Sequence, residues 1–275
     1  MTEAYAVIGN PIAHSRSPEI HQLFAKQTGK IISYIKLLAP SDDFVATVTA
    51  FRKQGAKGLN VTAPFKNEAF QWVDQLSETA RLTQAVNTIS FSVDGRSLGD
   101  NTDGVGLVRD LTENHRCLIT NQQILILGAG GAVQGCLAPL LKKQPASLII
   151  VNRNLDKALS LVERFLPLGH LKSCLPLDLK EQKFDLIING IPNSAVADML
   201  PFLPKKCLTP TSICYDMNYQ TTPTVFQSWA YRQGIKQAVN GLGMLIEQAA
   251  EAFYIWHGIR PDTKPVHQQL NSGKF

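Results

Sequence analysis

Short apolar runs alternate with amphipathic stretches along nearly the whole chain. Residues 5–9 read as a strand, 18–27 as a helix closed by Gly29, and 31–38 as a second strand. Residues 42–54 have helical spacing, 59–62 form a short strand, and 64–76 predict another helix. Residues 87–93, the Asp94-Gly95 turn and the segment after it predict a hairpin. After Asn101-Thr102-Asp103-Gly104, a helix is expected to begin over residues 105–111.

From residue 124 onward the strands become continuous apolar runs, the pattern of a sheet covered on both faces. They lie at 124–127, 148–151, 185–189, 213–217 and 237–239, with helices at 132–143 and 224–232. A last long helix, 242–256, follows Asn240-Gly241 and sets Leu245, Ala249, Ala252, Phe253 and Trp256 near one face. The whole pattern predicts an α/β protein of two domains. The first, 1–103, is α/β; a second α/β domain with the covered parallel sheet, 104–240, is inserted; helices in 241–275 return to the first domain.

Composition narrows the class further. A chain of 275 residues with 44% hydrophobic content can bury two cores. No run approaches the ~18 apolar residues of a membrane span, and the start lacks a basic segment followed by an apolar one. A soluble, cytoplasmic protein is expected, one that uses neither membrane nor export. Five scattered cysteines without a C-x-x-C pair fit reduced thiols. The net charge of +5 is spread out, which suits small anionic ligands rather than nucleic acid. The six histidines are well separated, so no metal site is expected, and no G-x-S-x-G elbow appears.

The most informative chemistry lies in Gly128-Ala129-Gly130-Gly131-Ala132, between the strand at 124–127 and the helix at 132–143. Glycines in such a turn let the backbone approach a pyrophosphate at a helix N-terminus. A tight turn would also use glycine, and Val133 stands where a third glycine or alanine is usual. The second strand, 148–151, arrives about 20 residues later, as the motif requires. It ends in Asn152-Arg153, with Asn154 and Lys157 following. An acid at that tip would bind a free ribose 2′-hydroxyl, whereas arginine supplies charge for a 2′-phosphate, so the loop reads as binding NADP. Residues 104–240 then read as a Rossmann-like dinucleotide-binding domain, and the discontinuous α/β domain, 1–103 with 241–275, as the substrate domain.

Other polar residues gather at element ends. Ser17 followed by Pro18 is a good start to a helix, so simple capping by Ser17 is one reading. The hydroxyls of Ser15 and Ser17 beside free helix N–H groups would equally make a carboxylate site. Lys66 lies in the first turn of a predicted helix, where the dipole disfavours a cation; it is a surface lysine or, if buried in a cleft, an amine poised to exchange a proton. Asp103 by itself reads as a helix cap. Thr62 and Asn87 sit at strand ends, where turn hydrogen bonds are the ordinary role, and Gln248 in an apolar helix needs partners.

Together, His14-Ser15-Arg16-Ser17-Pro18, Asn60-Val61-Thr62-Ala63-Pro64-Phe65-Lys66, Ala85-Val86-Asn87-Thr88 and Asn101-Thr102-Asp103 resemble the shikimate dehydrogenase family. The resemblance runs from Tyr5 to the C-terminal helix. It implies an NADP-dependent reduction of 3-dehydroshikimate to shikimate, with Lys66 and Asp103 as the catalytic pair. It further implies that Ser15 and Ser17 hold the substrate carboxylate, while Thr62, Asn87, Gln248 and Tyr219 complete the pocket. Gly241 and Met244, in Asn240-Gly241-Leu242-Gly243-Met244, are placed beside the cofactor. The cleft of such an enzyme is expected to close over its substrate. Departures from the family pattern are Asn154 in place of threonine, Gln84 where glycine is common, and Gly190-Ile191-Pro192-Asn193-Ser194 in place of small hydroxyl residues. A quinate/shikimate dehydrogenase and a catalytically idle NADP-binding regulatory protein share the same pattern of elements. A monomer and a homodimer both remain open.

Overall fold

The computed structural model describes residues 2–179 and 182–271. Contacts divide the chain into two units, Met1–Gly106 with Leu245–Phe275, and Leu107–Met244. Each has its own six-stranded sheet. Among the described residues, no helix is long and apolar enough to cross a membrane.

The first unit contains strands β1 (Glu3–Gly9), β2 (Ile32–Leu38), β3 (Gly58–Val61), β4 (Gln75–Leu76), β5 (Thr88–Phe91) and β6 (Ser97–Asp100). They lie in the order β2-β1-β3-β5-β6-β4. β1 is parallel to β2 and to β3, and the hairpin of β5 and β6 adds antiparallel to β3. Its helices are α1 (Ser17–Thr28), α2 (Phe44–Lys53), α3 (Lys66–Trp72) and α4 (Glu78–Thr83). Ile8, Phe44, Val48, Leu59, Phe65 and Ile89 form one buried cluster of its core. Gly29 closes α1 as expected, its φ of 69° being the left-handed conformation that glycine adopts freely.

One expectation fails in this unit. The helix over 64–76 ends at Trp72, and Gln75–Leu76 is a strand, parallel to β6. Asp74 explains the switch: its N–H donates to the Ser97 hydroxyl, and its carboxylate accepts from the Ser97 N–H and hydroxyl at 2.7 Å, so the chain is tied to β6. Of the two readings of Ser17, capping is set aside: Ser17 is the first residue of α1, Arg16 holds the cap position and no side chain caps the helix. The short helix α4 was not evident from the pattern, although Ser77 caps it by accepting from the Ala80 N–H at 3.0 Å. Beyond it, Gln84 takes a left-handed φ of 47°, which explains why glycine suits that place.

Chain continuity between the units is carried by α5 (Asp103–Arg109), followed by a π-helical turn (Asp110–Asn114), and by α10 (Leu242–His257). A last helix, α11 (Lys264–Asn271), belongs to the first unit.

The second unit contains β7 (Gln123–Leu127), β8 (Ser147–Val151), β9 (Leu171–Cys174), β10 (Leu186–Asn189), β11 (Ile213–Asp216) and β12 (Gln237–Asn240). All are parallel, in the order β12-β11-β10-β7-β8-β9. This is the doubly wound arrangement of a Rossmann fold, in which the strand order reverses between β7 and β10 and ligands bind at the carboxyl ends there. Its helices are α6 (Gly131–Lys142), α7 (Leu155–Phe165), α8 (Asn193–Val196) and α9 (Val225–Arg232). Leu125, Leu127, Phe184, Ile187, Cys214 and Phe226 pack in its core, so the apolar runs of β7, β10 and β11 are buried as a covered parallel sheet requires.

Candidate active site

In the first unit, polar side chains from β2, β3, β5, α5 and α10 meet the start of α3. Lys66 opens α3 and its ammonium group contacts Oδ2 of Asp103, the first residue of α5; both side chains are largely buried, at 19% and 7% exposure. The other oxygen, Oδ1, accepts from Asn87 Nδ2 at 2.8 Å. Asp103 is therefore no mere cap. A carboxylate buried this deeply requires partners on both oxygens, and it has them.

Backbone pairing sets these positions. The Val86 N–H donates to the Lys66 carbonyl at 2.9 Å, the Asn87 N–H to the Asp100 carbonyl at 3.0 Å, and the Val61 N–H to the Asn87 carbonyl at 2.8 Å. Thus α3, the end of β3 and the entry to β5 are locked together around the Lys66 side chain. Gln248 on α10 joins the cluster: its Nε2 donates to the Leu245 carbonyl at 2.9 Å, which turns its Oε1 toward Asn87 Nδ2 at 3.4 Å and the Thr102 hydroxyl at 3.3 Å.

The Ser15 and Ser17 hydroxyls are 3.2 Å apart, and Ser15 Oγ also accepts from the Ser17 N–H at 3.3 Å. Ser17 is buried and lies beside the Tyr34 hydroxyl, whereas Ser15 is half-buried. In this arrangement the Ser15 hydroxyl and the Ser17 N–H are each donated within the pair, and an anion at the helix start would draw these donors away from one another. Thr62, at the end of β3, is half-buried; a Cβ on Gly9 would stand 2.5 Å from its Cγ2, so this glycine makes room for it.

Three residues of this cluster had not been singled out from the sequence. Asn60, buried in the middle of β3, receives the Tyr34 hydroxyl at 2.7 Å and donates to the Asn87 carbonyl and the Thr88 hydroxyl. Thr102 donates its N–H to Asn87 Oδ1 at 2.9 Å. Tyr34 is buried, and burial pushes its phenol well above its usual range, so it remains a donor. A polar residue inside an otherwise buried strand was the available signal for Asn60.

In the second unit the predicted cofactor residues line the carboxyl ends of β7 and β8. Gly128 has a φ of 100°, so a side chain there would be strained. Nothing lies within 4 Å of where Gly130 and Gly131 would carry a Cβ, and Ala132 follows in the first turn of α6. Open space above two glycines at the start of a 12-residue helix is the cradle a pyrophosphate needs. Asn152 Nδ2 donates to the Asn154 carbonyl at 2.7 Å, and Asn154 Oδ1 caps α7 by accepting from the Lys157 N–H at 3.1 Å. The Asn154 oxygen is thus committed to the helix, leaving its amide N–H2 as the group that can face a phosphate. Arg153 is exposed and lies 3.8 Å from Asp198.

Gly241 passes so close to Met217 that a Cβ would meet its carbonyl oxygen at 2.3 Å. Met244 is buried two residues into α10, and Tyr219 is half-buried in the segment after β11. Ser15, Ser17, Thr62, Lys66, Asn87, Asp103 and Gln248 all belong to the first unit, while Tyr219 belongs to the second with the cofactor residues.

Comparison with known proteins gives consistent names along the chain. Residues 7–89 match the profile of the shikimate dehydrogenase substrate binding domain, 110–194 that of shikimate / quinate 5-dehydrogenase, and 241–270 that of the shikimate 5′-dehydrogenase C-terminal domain. A shikimate dehydrogenase (NADP(+)) from Alkalilimnicola ehrlichii is 48% identical over 266 residues, 97% of each chain. The crystal structure of an enzyme from Pseudomonas putida superposes with a TM-score of 0.91 at 43% identity, over 98% of both chains. Shikimate 5-dehydrogenase from Thermus thermophilus, in complex with NADP(H) and shikimate, superposes with a TM-score of 0.82 at 29% identity, covering 97% of this chain and 98% of that one.

Proposed function

Since this chain belongs to the shikimate dehydrogenase family, we propose that it catalyses the reversible, NADP-dependent reduction of 3-dehydroshikimate to shikimate, a step toward the aromatic amino acids. The observation that carries the reading is the Lys66, Asp103 and Asn87 cluster, a buried acid–base pair with an amide aimed at the carboxylate. Reduction of a ketone needs a hydride at carbon and a proton at oxygen. When bound, NADPH supplies the hydride.

Lys66 Nζ supplies the proton to the oxygen of the reduced carbon, and in the reverse direction takes it from the substrate hydroxyl. Asp103 Oδ2 holds the lysine in place and accepts from a neighbouring substrate hydroxyl. Ser15 and Ser17 bind the substrate carboxylate with their hydroxyls, and Thr62, Asn87, Gln248 and Tyr219 orient the ring hydroxyls. Orientation of this kind is worth on the order of 7–11 kcal/mol of barrier when the reacting atoms are held in contact. The relative from Thermus thermophilus named above binds both partners that this reading requires.

The second unit fits the cofactor. Residues 128–132 would cradle the pyrophosphate, with the open space above Gly130 and Gly131 as the supporting observation. Asn152, Arg153, Asn154 and Lys157 would hold the 2′-phosphate, and Gly241 and Met244 the nicotinamide side. We read the protein as cytoplasmic, which five cysteines without a disulfide among them support, and as a monomer or homodimer. An assay of shikimate oxidation with NADP and with NAD tests the whole reading. Strong NADP reduction supports it; reduction of NAD in preference, or of neither, sinks it, and activity with quinate would widen the substrate.

A further inference from the structure

Behind the acid–base pair runs a buried line of hydrogen bonds whose direction can be deduced atom by atom. Two groups in it have no choice of role. The Asn87 backbone carbonyl can only accept, and it receives Asn60 Nδ2 at 3.2 Å. The Asn60 amide is therefore oriented with Oδ1 toward Tyr34, whose hydroxyl must donate, at 2.7 Å. At the other end the Thr102 N–H can only donate, and it points at Asn87 Oδ1 at 2.9 Å.

Between these fixed ends, the Thr88 hydroxyl has one proton to place. Asn60 Nδ2 also donates to Thr88 Oγ1 at 3.1 Å, so that oxygen acts as an acceptor toward Asn60 and its own proton goes to Asn87 Oδ1 at 2.9 Å. The result is a one-way sequence: Tyr34 to Asn60, Asn60 to Thr88, Thr88 to Asn87, and Asn87 Nδ2 to Asp103 Oδ1 at 2.8 Å. Tyr34, Asn60, Asn87, Thr88 and Asp103 are all buried. With the Asn87 amide turned over, its oxygen would face a carboxylate oxygen at hydrogen-bonding distance. Two acceptors in contact at a buried site repel, and Asp103 would lose one of the two partners that hold it.

We propose that Thr88 and Tyr34 are positioning residues that, together with the obligate Thr102 N–H donor, hold the Asn87 amide in this direction and so keep the Asp103 carboxylate in place for Lys66. Neither residue touches the reacting atoms. This inference rests on the reading of Lys66 and Asp103 given above, in that its catalytic consequence requires them to move the proton. The line itself exists whatever the reaction.

The test compares Thr88→Val, which keeps shape and removes the hydroxyl, with Thr88→Ser, which keeps the hydroxyl. Thr88→Val should lower kcat by roughly tenfold, the consequence of losing one hydrogen bond's worth of transition-state stabilisation. It should also move the acid limb of the kcat/KM pH profile and leave KM for NADP unchanged. Thr88→Ser should restore both kcat and the profile, and Tyr34→Phe should shift them in the same direction by less. A structural role alone would lower the melting temperature without moving the pH profile. The Asn87 side-chain amide protons, followed by 15N NMR, give a readout independent of turnover: they should be protected from exchange in the parent and Thr88→Ser, and exposed in Thr88→Val. A folded Thr88→Val with parental kcat, pH profile and amide protection overturns the inference. If instead the parent fails to oxidise shikimate while the amide pattern follows the hydroxyl, the positioning holds and the assigned reaction fails.

Discussion

Val133 and Gly190 occupy each other's space: a Cβ on Gly190 would stand 2.3 Å from Val133 Cγ2. Val133, fully buried at the start of α6, takes the place of the small residue that lets helix and sheet approach in the dinucleotide fold, and the glycine after β10 supplies the missing room. Val133, which departs from the dinucleotide motif, and Gly190, which departs from the family pattern, thus fit one another sterically. Gly190→Ala is expected to destabilise the protein by about 1–3 kcal/mol through overpacking, read by chemical denaturation. Adding Val133→Ala should recover most of that loss. Additive losses in the double variant would show that the two positions are independent.

Lys66→Ala should lower turnover by roughly 10²–10⁴, the range for a lost acid–base group, with shikimate binding nearly retained. Asp103→Asn should lose less, because the amine that transfers the proton remains. Steady-state kinetics with calorimetric binding separates the two effects, and an active Lys66→Ala enzyme removes the mechanism.

Ser15→Ala and Ser17→Ala should each weaken shikimate binding by about 1–3 kcal/mol, the scale for a hydrogen bond to a charged group. An analogue without the carboxylate should bind the parent and both variants alike. Because Ser17 is not the cap of α1, no loss of helix stability is expected to accompany its replacement.

Arg153→Ala should raise KM for NADP strongly and leave the NAD reaction unchanged, since NAD lacks the phosphate. Its ion pair with Asp198 is exposed on both sides and contributes little to stability, so the melting temperature should not move. Added salt should weaken NADP binding to the parent more than to the variant. Equal losses with both cofactors would assign Arg153 to the loop or the adenine.

His21 on α1 is fully buried, its ring stacked on Tyr34 with centroids 4.3 Å apart and beside the Asn60 side chain. Burial pushes its pKa down to about 3 from the ordinary 6.5. Between those values the unfolded chain binds a proton that the folded one refuses. Stability is therefore complete above about pH 6.5 and falls as pH drops toward 3, by at most about 1.4 kcal/mol per unit from this residue. His21→Phe should flatten the stability curve between pH 6.5 and 4 in urea titrations; an unchanged slope refutes the assignment.

The second unit was the more legible from the sequence where its strands are apolar, as in β7, β8 and β10, whereas β9, which carries Lys172 and Ser173, gave no such signal. Ile124 to Leu127 or Leu186 to Ile188 need no partner to be recognised as buried. The Gly128 turn was legible for the same reason, since it falls between a recognisable strand and helix. In the first unit local pattern competes with distant contacts: residues 64–76 look helical until Ser97 claims Asp74. The grouping of Lys66, Asn87, Asp103 and Gln248 was legible through family resemblance alone, because no spacing relates four segments that meet only after folding. Asn60 was passed over since its partner Tyr34 lies 26 residues away and on another strand.

The first unit is interrupted in the chain by all of the second, and this sets an order of events on the ribosome. When residue 106 has emerged, β5 still lacks the Trp256 indole that donates to the Ile89 carbonyl at 3.1 Å, and Tyr5 lacks the ring it stacks on at 4.6 Å. Residues 107–244, continuous and with every strand of their sheet supplied locally, can complete their core first. The nascent amino-terminal segment must then wait, partly unburied, for translation of the last 31 residues from Leu245 to Phe275. Contacts of such high sequence separation close slowly, so a stop codon or a protease cut just before α10 would strand an incomplete sheet, open to chaperones and to aggregation, beside a finished nucleotide-binding fold.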